Sequence, residues 1–178
     1  KDIRSIVSFS NKNSYNPGIL NAVDKVNQDQ KKYFFSKLFN RFKSSNDDLK
    51  GMKFGIWGLS FKPGTDDMRE SASIYFVKNI LKLGGTVAVY DPKSLENAKK
   101  NYFKNLEGID YCIDKWDVLK GSNALILITE WPEFRSLDYK MLITKLQFPV
   151  LFDGRNLFDK DEMRNNGIEY HQIGVRSI

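Results

Sequence analysis

From residue 53 onward, short apolar runs alternate with longer helical stretches, and this alternation limits the possible folds more than any other feature. Each run is rich in β-branched and aromatic residues and apolar almost throughout, as expected of strands buried on both faces. Because strands that alternate with helices pair in parallel, we predict a doubly wound sheet. Its predicted strands are KFGIW (53 to 57), TVAVY (86 to 90), YCI (111 to 113), ALILIT (124 to 129), PVLF (149 to 152) and, at an edge, IEYHQI (168 to 173).

One long helix is predicted before the first strand. It has Asn16 as a candidate cap, Pro17 in the first turn, and apolar residues three to four positions apart. At about 26 residues it would be about 39 Å long, more than a small domain can cover with one face. We therefore expect its aromatic end to pack on another subunit or domain, with packing on the chain's own domain as the alternative. The residues concerned are Phe34, Phe35, Leu38, Phe39 and Phe42.

A polar linker separates this helical region from the strands. The sequence SSNDDLKG, residues 44 to 51, has the composition of a loop, and a second, shorter helix is expected in the first dozen residues. We place the boundary in the linker, with a helical arm at 1 to 47 and a domain at 48 to 178. The predicted fold class is α/β, a Rossmann-like doubly wound parallel sheet preceded by a helical arm that contains one long helix.

Composition argues against several classes of site. The 178 residues include one cysteine, Cys112, and one histidine, His171, so we expect neither a disulfide framework nor a metal site. Cys112 is expected to be a small buried hydrophobe, and His171 to pack near the sheet edge. No run approaches eighteen apolar residues and the first residues do not resemble a signal peptide, so we expect a cytoplasmic protein without a membrane partner.

The net charge of +6 is concentrated in the arm. Residues 1 to 50 contain ten Lys or Arg against five Asp or Glu. These charges are spread over fifty residues without a glycine-aromatic or zinc-finger motif, so a solvated face is favoured over a nucleic-acid partner.

The loop after the first strand carries the strongest binding signal. In open parallel sheets, ligands bind outside the carboxyl ends of the strands, where GLSFKPGTDDMRES, residues 58 to 71, would lie. The segment GIWGLS, at the junction of strand and loop, has two glycines, Gly55 and Gly58, rather than the three of a dinucleotide fingerprint. Lys62, Arg69 and the nearby hydroxyls and helix amino terminus could instead hold phosphate. The alternative is that Arg69 and the acidic residues pair among themselves while Ser71 merely caps the next helix.

Two further loops would end at the same edge of the sheet. Asp91 follows the second strand, where a ribose-binding acid would lie, but a cap before a first-turn proline is the favoured interpretation. Arg155 follows the fifth strand and would face the same edge as Lys62. The alternative for Arg155 is an ion pair with Asp153 or Asp159.

Four sequence blocks, in this order, carry a resemblance to a known family: GLSFKPGTDDMRESAS, VYDP, ALILITEWPEF and FDGRNLFD. With GILNAVDKVNQDQ in the arm, they resemble the carboxyl-terminal part of the UDP-glucose/GDP-mannose dehydrogenase family, and within it the bacterial UDP-glucose 6-dehydrogenases. The resemblance implies oxidation of UDP-glucose to UDP-glucuronate with two NAD through a cysteine thioester. The sugar could also belong to GDP-mannose or a UDP-N-acetylhexosamine, and a non-catalytic nucleotide-binding dimerisation module is the alternative from another class.

The resemblance also assigns residues. It implies that residues 48 to 178 bind the UDP-sugar, with Phe61, Lys62 and Arg155 on the substrate and Arg69 on an NAD held by an amino-terminal domain that this chain lacks. It further implies a homodimer through the long helix, residues 18 to 43.

The first residues receive their roles from the resemblance alone. KDI resembles the end of the family's catalytic block, so the nucleophilic cysteine would lie three residues upstream of Lys1. Asp2 would then be a catalytic residue that orients the water hydrolysing the thioester, and Lys1 would lie near the cofactor. We accordingly expect this fragment by itself to be inactive.

Overall fold

A six-stranded parallel sheet forms the centre of the computed structural model, which describes residues 2 to 175 and the side chains from residue 3. The strands are β1 (Lys53–Trp57), β2 (Thr86–Tyr90), β3 (Ile109–Tyr111), β4 (Ala124–Leu127), β5 (Val150–Asp153) and β6 (Glu169–Gln172). Their order is β3-β2-β1-β4-β5-β6, and every neighbouring pair is parallel. The predicted doubly wound α/β fold is confirmed, with the chain reversing its direction of winding between β1 and β4.

Six α-helices accompany the sheet within the described residues, with two short 3-10 helices at Asp117–Leu119 and Pro132–Phe134. The α-helices are α1 (Asp2–Lys12), α2 (Gly18–Phe42), α3 (Ala72–Lys82), α4 (Leu95–Asn97, continued as a π turn over Ala98–Tyr102), α5 (Tyr139–Lys145) and α6 (Lys160–Asn165). Both predicted helices of the arm are present. Pro17, which has no side-chain acceptor, occupies the cap position of α2 instead of Asn16, whose side-chain oxygen accepts a hydrogen bond from Asn21 Nδ2 (2.7 Å).

The third strand lies two residues earlier than predicted. Val87 pairs with Ile109 and Val89 with Tyr111, so the strand ends at Tyr111. Ile113, which the apolar run placed inside the strand, is 91% exposed. A three-residue apolar run contains too little pattern to set a register, and the neighbouring strand sets it instead.

Each face of the sheet has its own apolar core. Phe54, Ile56 and Phe152 contact α2 and α3 on one face. Trp57 and Leu125 belong to a second cluster, with α5 and α6, on the other. Successive strand residues point to opposite faces, which explains why the strands are apolar throughout.

The expectation that the aromatic end of α2 needs a partner outside its own domain is wrong. Phe34, Leu38 and Phe42 are buried in the core of this chain, and the ring of Phe42 lies 5.3 Å from that of Phe54. The predicted helix length is close to the observed 25 residues. Burial differs along the helix, however, because only its second half packs on the sheet. In its first half Ile19 and Val26 are 82% and 64% exposed. Among the described helices, none is both long and apolar enough to cross a membrane.

Candidate functional site

A cleft of about 450 Å³ lies where the carboxyl ends of the strands meet the arm. Its sheet side is formed by the loops that follow β1, β4, β5 and β6 and by the first turns of α3, and its other side is formed by α1 and α2. The cleft includes the boundary between β1 and β4, where ligands bind in open parallel sheets. Phe61, Arg69 and Arg155, three residues predicted to bind ligands, line it together.

Arg155 joins the loops on the sheet side. Its Nη2 donates to the carbonyl oxygen of Phe61 (3.0 Å), and its Nε lies 2.6 Å from Glu130 Oε2. The alternative that Arg155 forms an ion pair with Asp153 or Asp159 is wrong about the partner, because the carboxylate it contacts belongs to the loop after β4. Glu130 compensates part of the charge and holds the guanidinium at the cleft.

Asp153, at the end of β5, shapes the turn that presents Arg155. Its Oδ1 accepts a hydrogen bond from Arg155 N (2.8 Å), and its Oδ2 accepts from Leu157 N and from Tyr170 Oη, both at 2.7 Å. Burial, together with the nearby Asp153 carboxylate, raises the pKa of Tyr170 far above its ordinary value, so the phenol remains a donor. The FDGRN segment is therefore a turn folded around a buried carboxylate.

In the long loop after β1, the local pairing and the helix cap that the sequence offered as the alternative to ligand binding are present. Arg69 lines the cleft but also pairs with Asp67, at 2.5 Å from Nη2 to Oδ2, so the expected local ion pair is present. Ser71 caps α3 by accepting a hydrogen bond from Ser73 N (3.2 Å). Lys62 is exposed, and its Nζ is 5.4 Å from the centroid of the Phe61 ring. It is not among the described residues that line the cleft.

Asp91 is buried under the β1 loop and serves as a structural anchor. Its Oδ2 accepts hydrogen bonds from Leu59 N (2.7 Å) and Trp131 Nε1 (3.0 Å), while its Oδ1 caps the turn before α4 by accepting from Ser94 N (2.8 Å). Burial by itself would raise the pKa of Asp91, but the backbone hydrogen bonds outweigh it and hold the pKa below its ordinary value. The favoured role of Asp91 as a cap is therefore present. Both carboxylate oxygens already accept hydrogen bonds, and the side chain is buried.

The arm side of the cleft contains charges that the sequence analysis did not single out. Arg4 Nε lies 2.8 Å from Asp24 Oδ1, and its Nη1 lies 2.5 Å from Glu70 Oε2. Lys31 Nζ donates to the backbone carbonyl of Glu70 (2.8 Å), and burial lowers the pKa of Lys31. The charge pattern of the arm gave no signal for these contacts, because the partners are far apart in the sequence.

The remaining candidates are distributed as follows. Lys1 lies outside the described residues, and Asp2 begins α1 but its side chain is likewise outside them. Cys112 is partly buried, and burial raises the pKa of its thiol. His171 packs in the edge strand, as predicted, with its ring stacked 4.4 Å from that of Phe152. Within the described residues, no group of three or more His, Cys, Asp or Glu side chains could hold a metal ion.

Sequence comparison identifies the loops of the cleft with a family. Residues 55 to 160 match the UDP-glucose/GDP-mannose dehydrogenase family, UDP binding domain. The chain is 34% identical over 174 residues to the UDP-glucose 6-dehydrogenase of Rhizobium meliloti strain 1021, covering 98% of this chain and 38% of that protein. Against the UDP-glucose 6-dehydrogenase of Pseudomonas aeruginosa strain PAO1, identity is 32%, with 98% of this chain and 38% of that protein covered. The chain thus spans about two fifths of the length of these curated relatives.

Solved structures agree with the sequence comparison. A UDP-glucose dehydrogenase from the archaeon Pyrobaculum islandicum superposes with a TM-score of 0.75 at 29% identity, covering 96% of this chain and 35% of that one. A GDP-mannose dehydrogenase from Pseudomonas aeruginosa shares the fold, with a TM-score of 0.66 at 20% identity over 97% of this chain and 37% of that one. The match of residues 55 to 160 covers the β1 loop, the β4 loop and the FDGRN turn, so the chain belongs to the UDP-glucose/GDP-mannose dehydrogenase family and contains its UDP binding domain.

Proposed function

We propose that the cleft binds the UDP part of a nucleotide sugar. The observation that carries this proposal is the convergence of Phe61, Arg69 and Arg155 on one cleft at the carboxyl edge of the sheet. Arg155 supplies a guanidinium on the sheet side, and Lys31 supplies an ammonium on the arm side. Planar guanidinium groups suit the oxygens of a diphosphate, so the charges fit this ligand. Lys62, exposed next to Phe61, remains a proposed substrate contact.

We further propose that the whole protein is a UDP-glucose 6-dehydrogenase that yields UDP-glucuronate and uses NAD as the hydride acceptor. The sheet of this chain does not fit NAD as its own cofactor. Asp91, at the position of a ribose-binding acid, is buried and hydrogen-bonded to backbone and indole donors. The turn at Gly58 packs closely on the loop after β4, since a Cβ there would lie 2.5 Å from Thr129 Cβ. NAD would belong to another domain, with Arg69 and Lys1 reaching toward it.

The resemblance supports a role for Asp2 in this chemistry. A cysteine upstream of the chain would hold the substrate carbon as a thioester, and Asp2 would orient the water that hydrolyses it to the carboxylate. The backbone of Asp2 begins α1, the helix that also contributes Arg4 to the cleft. We therefore place the reacting end of the sugar toward α1.

We propose that α2 forms a homodimer contact. Large apolar side chains of the arm are exposed: Ile19 and Val26 on α2 by 82% and 64%, and Phe9 on α1 by 69%. Apolar surface on a helix face of this kind is typical of protein interfaces. In this proposal residues 1 to 47 are part of the dimerisation region, and residues 48 to 178 are the UDP-sugar-binding domain. Analytical ultracentrifugation of the chain and of Ile19→Glu tests the contact: a dimer that the substitution converts to monomer is expected.

Calorimetry with UDP on this chain tests the binding proposal directly. We expect saturable binding at one site per chain, while a folded protein that does not bind UDP would contradict the proposal. The activity requires the protein extended upstream, with UDP-glucose as the limiting reagent. Two NADH per UDP-glucose are expected. Turnover of another nucleotide sugar would keep the family and change the substrate, whereas UDP binding without turnover of any would favour a non-catalytic binding module.

A further inference from the structure

Glu70 has a backbone conformation that its residue type does not favour. Its φ is +66°, in the left-handed region, where side chains other than Asn and Asp are strained. Within residues 2 to 175, five non-glycine residues have positive φ. The other four are residues with short polar side chains: Ser14, Asp47, Asn105 and Asn156. Glu70 is therefore the one residue with a long side chain among these five, and its contacts offer a reason for its presence.

The contacts of Glu70 join the loop after β1 to both helices of the arm. Its Oε2 lies 2.5 Å from Arg4 Nη1 on α1. Its backbone carbonyl accepts a hydrogen bond from Lys31 Nζ on α2 at 2.8 Å. Asp24, also on α2, holds the same Arg4 through Nε at 2.8 Å. One residue of the loop thus reaches both helices, and all four residues line the cleft.

The position of Glu70 in the loop makes these contacts relevant to ligand binding. It follows Arg69, which lines the cleft, and precedes Ser71, which caps α3. A shift of the loop away from the arm would move Arg69 and Phe61 together, because Phe61 N donates to Asp67 O within the same loop (3.0 Å). Loss of the Glu70 contacts would therefore free both of these cleft residues from the arm.

We propose that Glu70 is a positioning residue that fastens the 58 to 71 loop to α1 and α2 and so sets the width of the cleft. The effect on the loop is independent of the ligand, whereas the effect on affinity rests on the proposed binding of UDP. The competing explanation is an ordinary surface ion pair, since the side chains of Arg4 and Glu70 are 40% and 38% exposed. Such a pair contributes little and would not alter the loop.

The test compares wild type with Glu70→Gln, Arg4→Gln and the double variant. Glu70→Gln keeps the carbonyl that Lys31 contacts and removes only the charge. Glu96→Gln is the matched control, because Glu96 pairs with Lys100 (3.2 Å) on α4, outside the residues that line the cleft. Two quantities are measured: hydrogen exchange of the amides in residues 58 to 71 and in α1, and the dissociation constant of UDP by calorimetry.

We expect faster exchange in both segments and UDP binding weakened by up to about fivefold for Glu70→Gln, since one lost contact of this kind is worth at most about that factor. Arg4→Gln should speed exchange at least as much, because it also breaks the pair with Asp24. The double variant should exchange little faster than Arg4→Gln alone, because the Arg4–Glu70 pair is already lost there. Glu96→Gln should match wild type in both measurements.

Unchanged exchange in Glu70→Gln would overturn the proposal. Faster exchange with unchanged UDP affinity would leave Glu70 as a structural link only, and would overturn its assignment as a positioning residue. If wild type itself does not bind UDP, the binding proposal fails, and the exchange rates alone decide whether Glu70 holds the loop.

Discussion

Arg155 donates from Nη2 to the carbonyl oxygen of Phe61 at 3.0 Å, although the two residues follow strands that are not neighbours in the sheet. β4 lies between β1 and β5, and its following loop contributes Glu130 to the same guanidinium. Three loops are thereby held by one side chain. Because a guanidinium has five donors in a fixed plane, it can hold the loops and still offer donors to a ligand.

Replacement of Arg155 should weaken UDP binding in proportion to what is lost. Arg155→Ala removes a charge-assisted contact worth about 1.5 to 3 kcal/mol, which corresponds to a ten- to two-hundredfold rise in the dissociation constant. Arg155→Lys keeps the charge but cannot span Glu130 and the Phe61 carbonyl together, so an intermediate loss is expected. Calorimetry measures both, with Arg164→Ala on the exposed side of α6 as the control. Unchanged affinity in Arg155→Ala would remove this residue from the site.

Asp91 should stabilise the fold only while its carboxylate is ionised. Asp91→Asn replaces a charged acceptor by an amide among four backbone donors and an indole, at an expected cost of about 3 kcal/mol. Because the folded state holds the pKa of Asp91 below its ordinary value of 3.8, this contribution is present above that pH and is lost as the pH falls further. Urea unfolding of both proteins at pH 7, 5 and 3 should show a difference that narrows only at the lowest pH. A difference independent of pH would contradict the role of the charge.

Substitutions at two glycines of the β1 loop allow the cost of backbone strain to be measured separately from the cost of a steric clash. Gly58 and Gly64 both have positive φ, +88° and +85°. A Cβ at Gly58 would lie 2.5 Å from Thr129 Cβ, whereas one at Gly64 would meet no atom within 4 Å. Gly64→Ala should therefore cost about 1 kcal/mol of unfolding free energy, and Gly58→Ala about 2 to 4 kcal/mol. Equal costs in urea titrations would show that Thr129 moves aside.

Loss of one hydroxyl should destabilise the turn that presents Arg155. Tyr170→Phe removes a donor from the buried Asp153 carboxylate and is expected to cost about 1 to 2 kcal/mol of unfolding free energy. Tyr15→Phe, at a side chain that is 68% exposed, is the matched control and should have little effect. Thermal or urea unfolding measures both. A Tyr170→Phe protein as stable as wild type would mean that the backbone donors alone satisfy Asp153.

The sheet could be predicted because its signal is local. Each strand is an apolar run bounded by turn residues, and the parallel order follows from alternation with helices. Ser71 could be named as the cap of α3 for the same reason, because a cap depends on the residue at one position. Where the local signal was short, as around Ile113, the predicted strand was displaced.

Contacts between distant segments could not be predicted in this way. The apolar face of α2 indicated that Phe34 and Phe42 are buried, but periodicity does not identify the surface that buries them. The contact of Arg4 with Glu70 depends on how the arm lies across the β1 loop. The motifs placed Arg69 and Arg155 at one edge, yet they gave no indication that Glu130 is the carboxylate beside Arg155.

Because only the second half of α2 is buried, this helix also determines where a shorter fragment of the protein can begin. Its second half contributes Phe34, Phe35, Leu38 and Phe42 to the same core as the strands. A shortened gene product that starts at residue 48 would expose the β-sheet surface that these rings cover, and aggregation would be its expected fate. A stable fragment must therefore keep the helix from residue 34 onward, although the polar linker at residues 44 to 51 is the boundary that the sequence suggests.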